Sequence, residues 1–266
     1  MTTPFLLEQT RSPYTADAPA PTLSPSQAST YLNCSAKHWF RYGLGLPDPA
    51  GGGMVRGKAV HAIVAYWMAA KMDGVALDPA GLDAAYEHAW DAAAEGAEFQ
   101  AYDDVEQLKR SGEALVRKYL AEAAPAITPA AVEAPFAGAI SGVKVRGIVD
   151  LMDATGRVID LKTASRKSSS IAADHALQLA TYTALAPGAS GEARIDTLVA
   201  TKEPQLIQID HAPGAAGRRL VERIYPLVAE GIAGGLYVPN RNSTTCSRRY
   251  CAFAGVCERE FGGVVE

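Results

Sequence analysis

The sequence has no excess of positive charge: 25 Lys and Arg stand against 29 Asp and Glu, for a formal net charge of -4. A chain that gripped nucleic acid over its whole surface would show the opposite balance, so any surface for a polyanion must be local. Long apolar runs are missing too. No stretch reaches the roughly 18 apolar residues of a membrane span, and the opening MTTPFLLEQT lacks the basic start and apolar core of a signal peptide. A soluble, intracellular (cytoplasmic) protein without a membrane partner is the expectation. Cysteine is scarce, with four in 266 residues. A chain of this length that is 48% hydrophobic can bury a sizeable core without disulfides, and a reducing compartment disfavours them. The four thiols therefore point to metal or cluster ligation.

Residues 1–23 are rich in Pro, Ala and Thr without helical or strand periodicity, which predicts a flexible lead-in. From residue 24 a single domain is expected. Ser24 reads as an N-cap and Pro25 as the first turn of an amphipathic helix through Tyr31, Leu32, Trp39 and Phe40, with Cys34 on it. Ala-rich segments near 54–73, 79–95 and 103–123 have helical periodicity, giving a helical part over 24–125. At about residue 131 the texture turns to short β-rich runs, AVEAPFAG, ISGVKVRGIVDLMD and GRVIDLKTA, joined by hairpin-length turns. A helix over about 174–186, strands in ARIDTLVATK and PQLIQIDHA, and a long helix over 214–233 follow. This order predicts an α+β (mixed α/β) fold with a central mixed β-sheet flanked by helices. Its core spans 126–236, and a loop-rich cysteine cap covers 237–266.

The most informative stretch is GIVDLMDATGRVIDLKTAS. Asp150 ends one apolar strand, and Asp160 and Lys162 share one face of the next, with Leu161 pointing away. Two carboxylates and an ammonium on one surface suit phosphodiester hydrolysis, which needs hard oxygen ligands, an activated water and positive charge for the transition state. Asp150, Asp160 and the Leu161 carbonyl would hold Mg²⁺ or Mn²⁺, and Lys162 would orient the water or stabilise charge. A D-x-K triplet alone is more often a strand-end salt bridge.

Flanking residues strengthen the case. Gly147-Ile148-Val149-Asp150 followed by Val158-Ile159-Asp160-Leu161-Lys162-Thr163 resembles the RecB-like branch of the PD-(D/E)XK nuclease superfamily. That family carries Q-x-x-x-Y on the next helix, and Gln178 and Tyr182 match it; four residues apart, they share a helix face. Gly57 and His61 resemble the family's G-x-x-x-H motif, which implies His61 as a metal ligand, and imidazole favours Mn²⁺ over Mg²⁺. Glu133 matches a commonly acidic position of the family and reads here as structural.

Cys246, Cys251 and Cys257 form C-x4-C-x5-C near the end of the chain, far from Cys34. One early and three late cysteines resemble the RecB-like nucleases that carry a 4Fe-4S cluster, although the first late gap is longer here. The resemblance implies an iron-sulfur cluster on these four cysteines, with structural Zn²⁺ as the alternative. It also implies a DNA exonuclease preferring single-stranded or free-ended DNA, acting in recombination, repair or phage-type processing, with a helicase or single-strand annealing protein as a plausible partner. The alternatives are a non-catalytic DNA-binding scaffold and an RNA nuclease. Arg166 and Lys167 directly follow the catalytic strand, where phosphate contacts with DNA are useful. The string Gly52 to Lys58, G-x-x-x-x-G-K, is not a nucleotide loop: Ala59 replaces the Ser or Thr, and no strand precedes it. Tyr250 and Phe253 could stack on bases, with packing against the Cys34 segment the stronger expectation.

Overall fold

The computed structural model describes residues 21–266; the expected lead-in over 1–23 lies outside them as far as residue 20. Leu23 belongs to the fold. It is buried, bridges to Val145 and exchanges backbone hydrogen bonds with Lys144 and Arg146. Helix α1 (Pro25–Asn33) opens on a complete capping box, Ser24 with Gln27. The helix expected through Phe40 is broken at Cys34, whose backbone is extended (φ -159°, ψ 101°). Its sulfur instead accepts the Lys37 amide and caps the short α2 (Ser35–His38), which runs into a π-helical turn, Trp39–Gly43. Cys34 is therefore a junction residue, not a helical one.

The helical part contains α3 (Gly52–Met72), α4 (Leu82–Ala94) and α5 (Val105–Glu122), close to the expected segments. The β-region gives β1 (Pro129–Ile140), β2 (Val143–Asp153) and β3 (Val158–Ala164), followed by α6 (Ala173–Leu185), β4 (Ala193–Val199), β5 (Gln205–His211) and α7 (Gly214–Ala233). Between β1 and β2 the turn residues Ser141 and Gly142 both have positive φ, 46° and 84°, the two-residue geometry whose twist suits a hairpin. The sheet order is β1-β2-β3-β4-β5. β3 pairs parallel with β4 through the α6 crossover, whereas β2–β3 and β4–β5 are antiparallel. The result is the expected mixed sheet with flanking helices. The cysteine cap is not all loop, because it contains α8 (Ala254–Phe261).

Two compact units emerge, neither continuous in sequence. One takes in the chain up to Asp48, Ala137–Arg146 and Arg219–Glu266; the other takes in Pro49–Phe136 and Gly147–Arg218. In the first, Ala36, Trp39, Phe40, Phe253 and Cys257 form the core, with Trp39 stacked on Tyr237. Phe253 is buried there, as the packing expectation held, while Tyr250 is exposed. In the second, Val55, Ile63, Leu115, Leu151, Ile159 and Leu161 pack in one cluster, and Phe136, Val158, Leu179 and Ile195 in another. Val158 to Leu161 are all buried, so β3 is covered on both faces, as expected for a strand inside a parallel pair. Among the described residues no helix is long and apolar enough to cross a membrane.

A buried charge sits in β4. Asp196 is fully buried and accepts two bonds from Arg194 (2.6 and 2.8 Å), one from the Tyr119 hydroxyl (3.1 Å) and one from Gln208 (3.1 Å). With four donors the carboxylate is saturated; without it, the Arg194 guanidinium is left desolvated and unpaired. Asp196→Ala should therefore cost about 3–5 kcal/mol, and Tyr119→Phe, which removes one of four donors, about 1 kcal/mol. Urea unfolding measures both; equal losses would mean that the pair is not the dominant element of this network.

Candidate active site

The β2–β3 ladder runs through Met152↔Val158 and Leu151↔Ile159. One step on, the Leu161 amide donates to the Asp150 side chain at 2.9 Å. A carboxylate thus replaces a strand carbonyl where the two strands part. Helix α3 brings His61 to the same point. Its approach is close because residue 57 is glycine: a β-carbon there would stand 3.0 Å from the Thr163 hydroxyl. His61 Nδ1 lies 3.7 Å from Asp150 Oδ2.

Glu133, which matches a commonly acidic family position and reads from the sequence as structural, stands at the site. It sits in β1 with φ 45°, a left-handed conformation that a non-glycine residue adopts at a cost of about 1–3 kcal/mol. Ligand atoms of His61, Glu133 and Asp150 all lie within 4.8 Å of one another. The acidic family position is its one signal in sequence; the proximity of three separate elements marks it as a possible ligand. These residues line one open cleft with Lys162, Thr163 and the first turns of α3.

Electrostatics at the site are those of charges held without enough water. Burial raises the pKa of Glu133, with the Asp150 charge adding to it. Burial likewise raises Asp150 and Asp160, against the pull of Lys162. His61 is lowered by burial first and by Lys162 second, which keeps it neutral and its lone pair available. Lys162 Nζ lies 2.8 Å from Asp160 Oδ2, yet neither Asp160 oxygen has an aligned hydrogen-bond donor. The pair is a charge contact that leaves the carboxylate's lone pairs unfilled. On its other side Lys162 donates to Gln178 Oε1 (3.0 Å), and Gln178 Nε2 donates to the Tyr182 hydroxyl (2.7 Å). Asp160, Lys162, Gln178 and Tyr182 thus form one chain of contacts, while His61, Glu133 and Asp150 form the adjoining cluster. The Leu161 carbonyl was expected as a ligand; the backbone of Leu161 bonds Asp150 through its amide and also supports the His61 ring. Arg166 and Lys167 are exposed just beyond β3.

The four cysteines are free and, in the other unit, line one pocket together. Burial raises the pKa of Cys251 and pushes Cys257 up to about 11, and the sulfurs repel one another's charge. Cys34 Sγ accepts the Lys37 and Asn240 amides at 3.4 and 3.5 Å.

With this geometry in hand, comparison with known proteins is informative. The family model of the PD-(D/E)XK nuclease superfamily matches residues 22–258. No curated protein matches the sequence. Among solved structures, a protein from Eubacterium rectale described as a "Putative exonuclease" is similar, with a TM-score of 0.58 at 12% identity over 82% of this chain and 84% of that one. At that identity the likeness concerns the fold. The structure of SSO0001 aligns over 88% of this chain and 97% of that one at 14% identity, with a TM-score of 0.39.

The raised carboxylates make a prediction about stability. A group whose pKa is higher in the folded than in the unfolded state holds its proton more tightly when folded, so its contribution is largest at low pH and is lost as pH rises. Without divalent ions, Asp150→Asn should therefore melt at the same temperature as the wild type or higher near neutral pH, and the gap should close towards about pH 4. Added Mn²⁺ should raise the melting temperature of the wild type and not that of the variant. A variant that melts lower at neutral pH in the metal-free state would show that Asp150 stabilises the fold.

Proposed function

Since this chain belongs to the PD-(D/E)XK nuclease superfamily, we propose that it is a divalent-metal-dependent DNA exonuclease that hydrolyses phosphodiester bonds at strand ends. The observation that carries this reading is the meeting of His61, Glu133 and Asp150 beside Lys162 in one open cleft. Two carboxylates and a neutral imidazole fit Mn²⁺ or Mg²⁺, and the unfilled oxygens of buried Asp160 fit a cation or ordered water nearby. His61, Glu133 and Asp150 would hold the ion, with Asp160 and the Leu161 carbonyl as further oxygen donors. When bound, the ion supplies Lewis acidity and lowers the pKa of water.

The chain's own residues do the rest. Asp160 and Gln178 fix the Lys162 ammonium from two sides, so it is oriented before substrate arrives. In that position it neutralises charge developing on the phosphorus oxygens and orients the attacking water. Tyr182 holds the Gln178 amide, which in turn sets Lys162; both also offer polar groups to the strand being cut. Arg166 and Lys167 are exposed where they can neutralise backbone phosphates of DNA. End-directed action and the preference for single strands rest on the resemblance of the motifs; the description carried by the Eubacterium rectale protein agrees with the first alone. A helicase or annealing partner and a role in recombination, repair or phage-type processing follow from the same resemblance.

For the cysteines we infer a 4Fe-4S cluster. Four thiols line one pocket, and burial raises the pKa of Cys251 and Cys257; such thiols are mutually repulsive once ionised, unless cationic iron offsets their charge. Amide bonds to Cys34 Sγ suit a thiolate ligand. Structural Zn²⁺ on the same four thiols is the alternative.

End-labelled linear DNA, single-stranded and blunt, should be digested with Mn²⁺ or Mg²⁺ while circular strands survive; circles cut as fast as linear strands would remove the exonuclease assignment. Lys162→Ala should lose activity by orders of magnitude while retaining Mn²⁺ affinity by calorimetry, and Asp160→Asn should lose both. Matched RNA strands decide the sugar preference. Anaerobically purified protein should be brown with about four irons per chain; colourless protein with one zinc would overturn the cluster.

A further inference from the structure

The string Gly52–Lys58, set aside above as a nucleotide loop, is helical: it forms the first two turns of α3. It also lines the cleft. Gly53, Met54, Gly57 and Lys58 lie on the same wall as His61, as spacings of three and four residues require of one helix face. At Gly53 nothing lies within 4 Å of where a side chain would begin, so the floor of the cleft there is bare backbone. Two long side chains rise from it. Met54 is half exposed, an apolar group left uncovered on a polar cleft. Lys58 is exposed and, among the described residues, has no ion pair or hydrogen bond. Lys71, on the same helix, differs: its ammonium is spent on the carbonyls of Ala124, Pro125 and Ile127. Lys58 is thus a cation with no internal task, about 4.5 Å along the axis from His61, and Met54 lies about 6 Å farther out.

We propose that these two turns are a binding subsite for the nucleic-acid strand beyond the bond being cut: Lys58 takes the neighbouring backbone phosphate, and Met54 packs against the sugar or base of the next nucleotide. This rests on the nuclease reading above and names how the same cleft holds its substrate. Phosphate chemistry selects the ligand. Glu133 and Asp150 make the inner cleft anionic, so an incoming phosphate needs a cation on the outer side, and Lys58 is the one placed on that wall. An apolar group one turn outward fits the sugar or base of a splayed strand, and the bare backbone at Gly53 leaves space for it to lie flat.

The test uses the full chain. Binding of a fluorescent thymidine oligomer, measured in the Asp160→Asn background across salt concentrations, should weaken severalfold in Lys58→Ala. The slope of log affinity against log salt should fall by about 0.7, the value for one lost phosphate contact on a single strand; Lys58→Arg should restore it. In the chain with Asp160 intact, a neutral methylphosphonate placed next to the cleaved bond should slow cleavage, and it should slow Lys58→Ala no further. Met54→Ala should raise KM severalfold more than it changes kcat, with Met54→Leu restoring the loss. Cleavage that proceeds with an unchanged salt slope and undiminished methylphosphonate sensitivity in Lys58→Ala overturns the subsite alone. A chain that cleaves no strand with either metal overturns the nuclease reading and the subsite with it.

Discussion

The hydrogen bond from the Leu161 amide to Asp150 is the constraint on which the site depends. It satisfies a backbone donor that would otherwise be orphaned where β2 and β3 separate, and it does so with an acidic side chain instead of a carbonyl. The carboxylate is thereby fixed by the sheet itself. Because β3 is buried on both faces, Asp160 cannot turn towards water, and its charge is answered chiefly by Lys162 from two residues on. One strand separation therefore produces a pinned carboxylate, a starved carboxylate and an oriented ammonium. The tension is local and electrostatic, and the sheet elsewhere is well paired.

Much of this was legible from residue order. The period-two pattern of RVIDLK put Asp160 and Lys162 on one face, the four-residue step put Gln178 with Tyr182, and both relations hold as direct contacts. Such relations are short-range, set by strand and helix geometry alone. Glu133 was visible only as a commonly acidic family position and was read as structural, because its partners come from α3 and β2 and its left-handed backbone leaves no trace in the residue type. Cys34 was misplaced on a helix for a related reason. Helical periodicity continues across it, but a sulfur accepting the Lys37 amide competes with the helix and breaks it. The π-helical turn that follows, and α8 within the cap, likewise depend on packing around Phe40 and Phe253. Leu23 shows the same limit at the other end, since its place beside β2 depends on a pairing over a hundred residues away.

The two side-chain clusters, one of oxygens with an imidazole and one of sulfurs, follow opposite design logics. Around Asp150 the donors are hard oxygens and one imidazole, half-open to a cleft, in which charge is tolerated because substrate and solvent share it. Around Cys34 the groups are soft sulfurs, Cys257 buried and the other three half-buried, in a pocket that includes Phe40 and Phe253. The first arrangement is suited to an ion that exchanges its ligands, the second to a group that stays.

The division of the chain also orders events during its synthesis. Every residue of the unit that holds His61, Glu133, Asp150 and Lys162 precedes Arg219, whereas the unit with the cysteines needs both the earliest described residues and the last stretch, Arg219–Glu266. As the chain leaves the ribosome, the helices and strands around the carboxylates can collapse while Cys34 still waits for three partners not yet made. The acidic cleft can thus form first, and the thiols can come together only once Cys257 has been made. The segment around Trp39 and Phe40 is therefore the last to gain protection from proteolysis, since its core is completed only by Phe253 and Cys257.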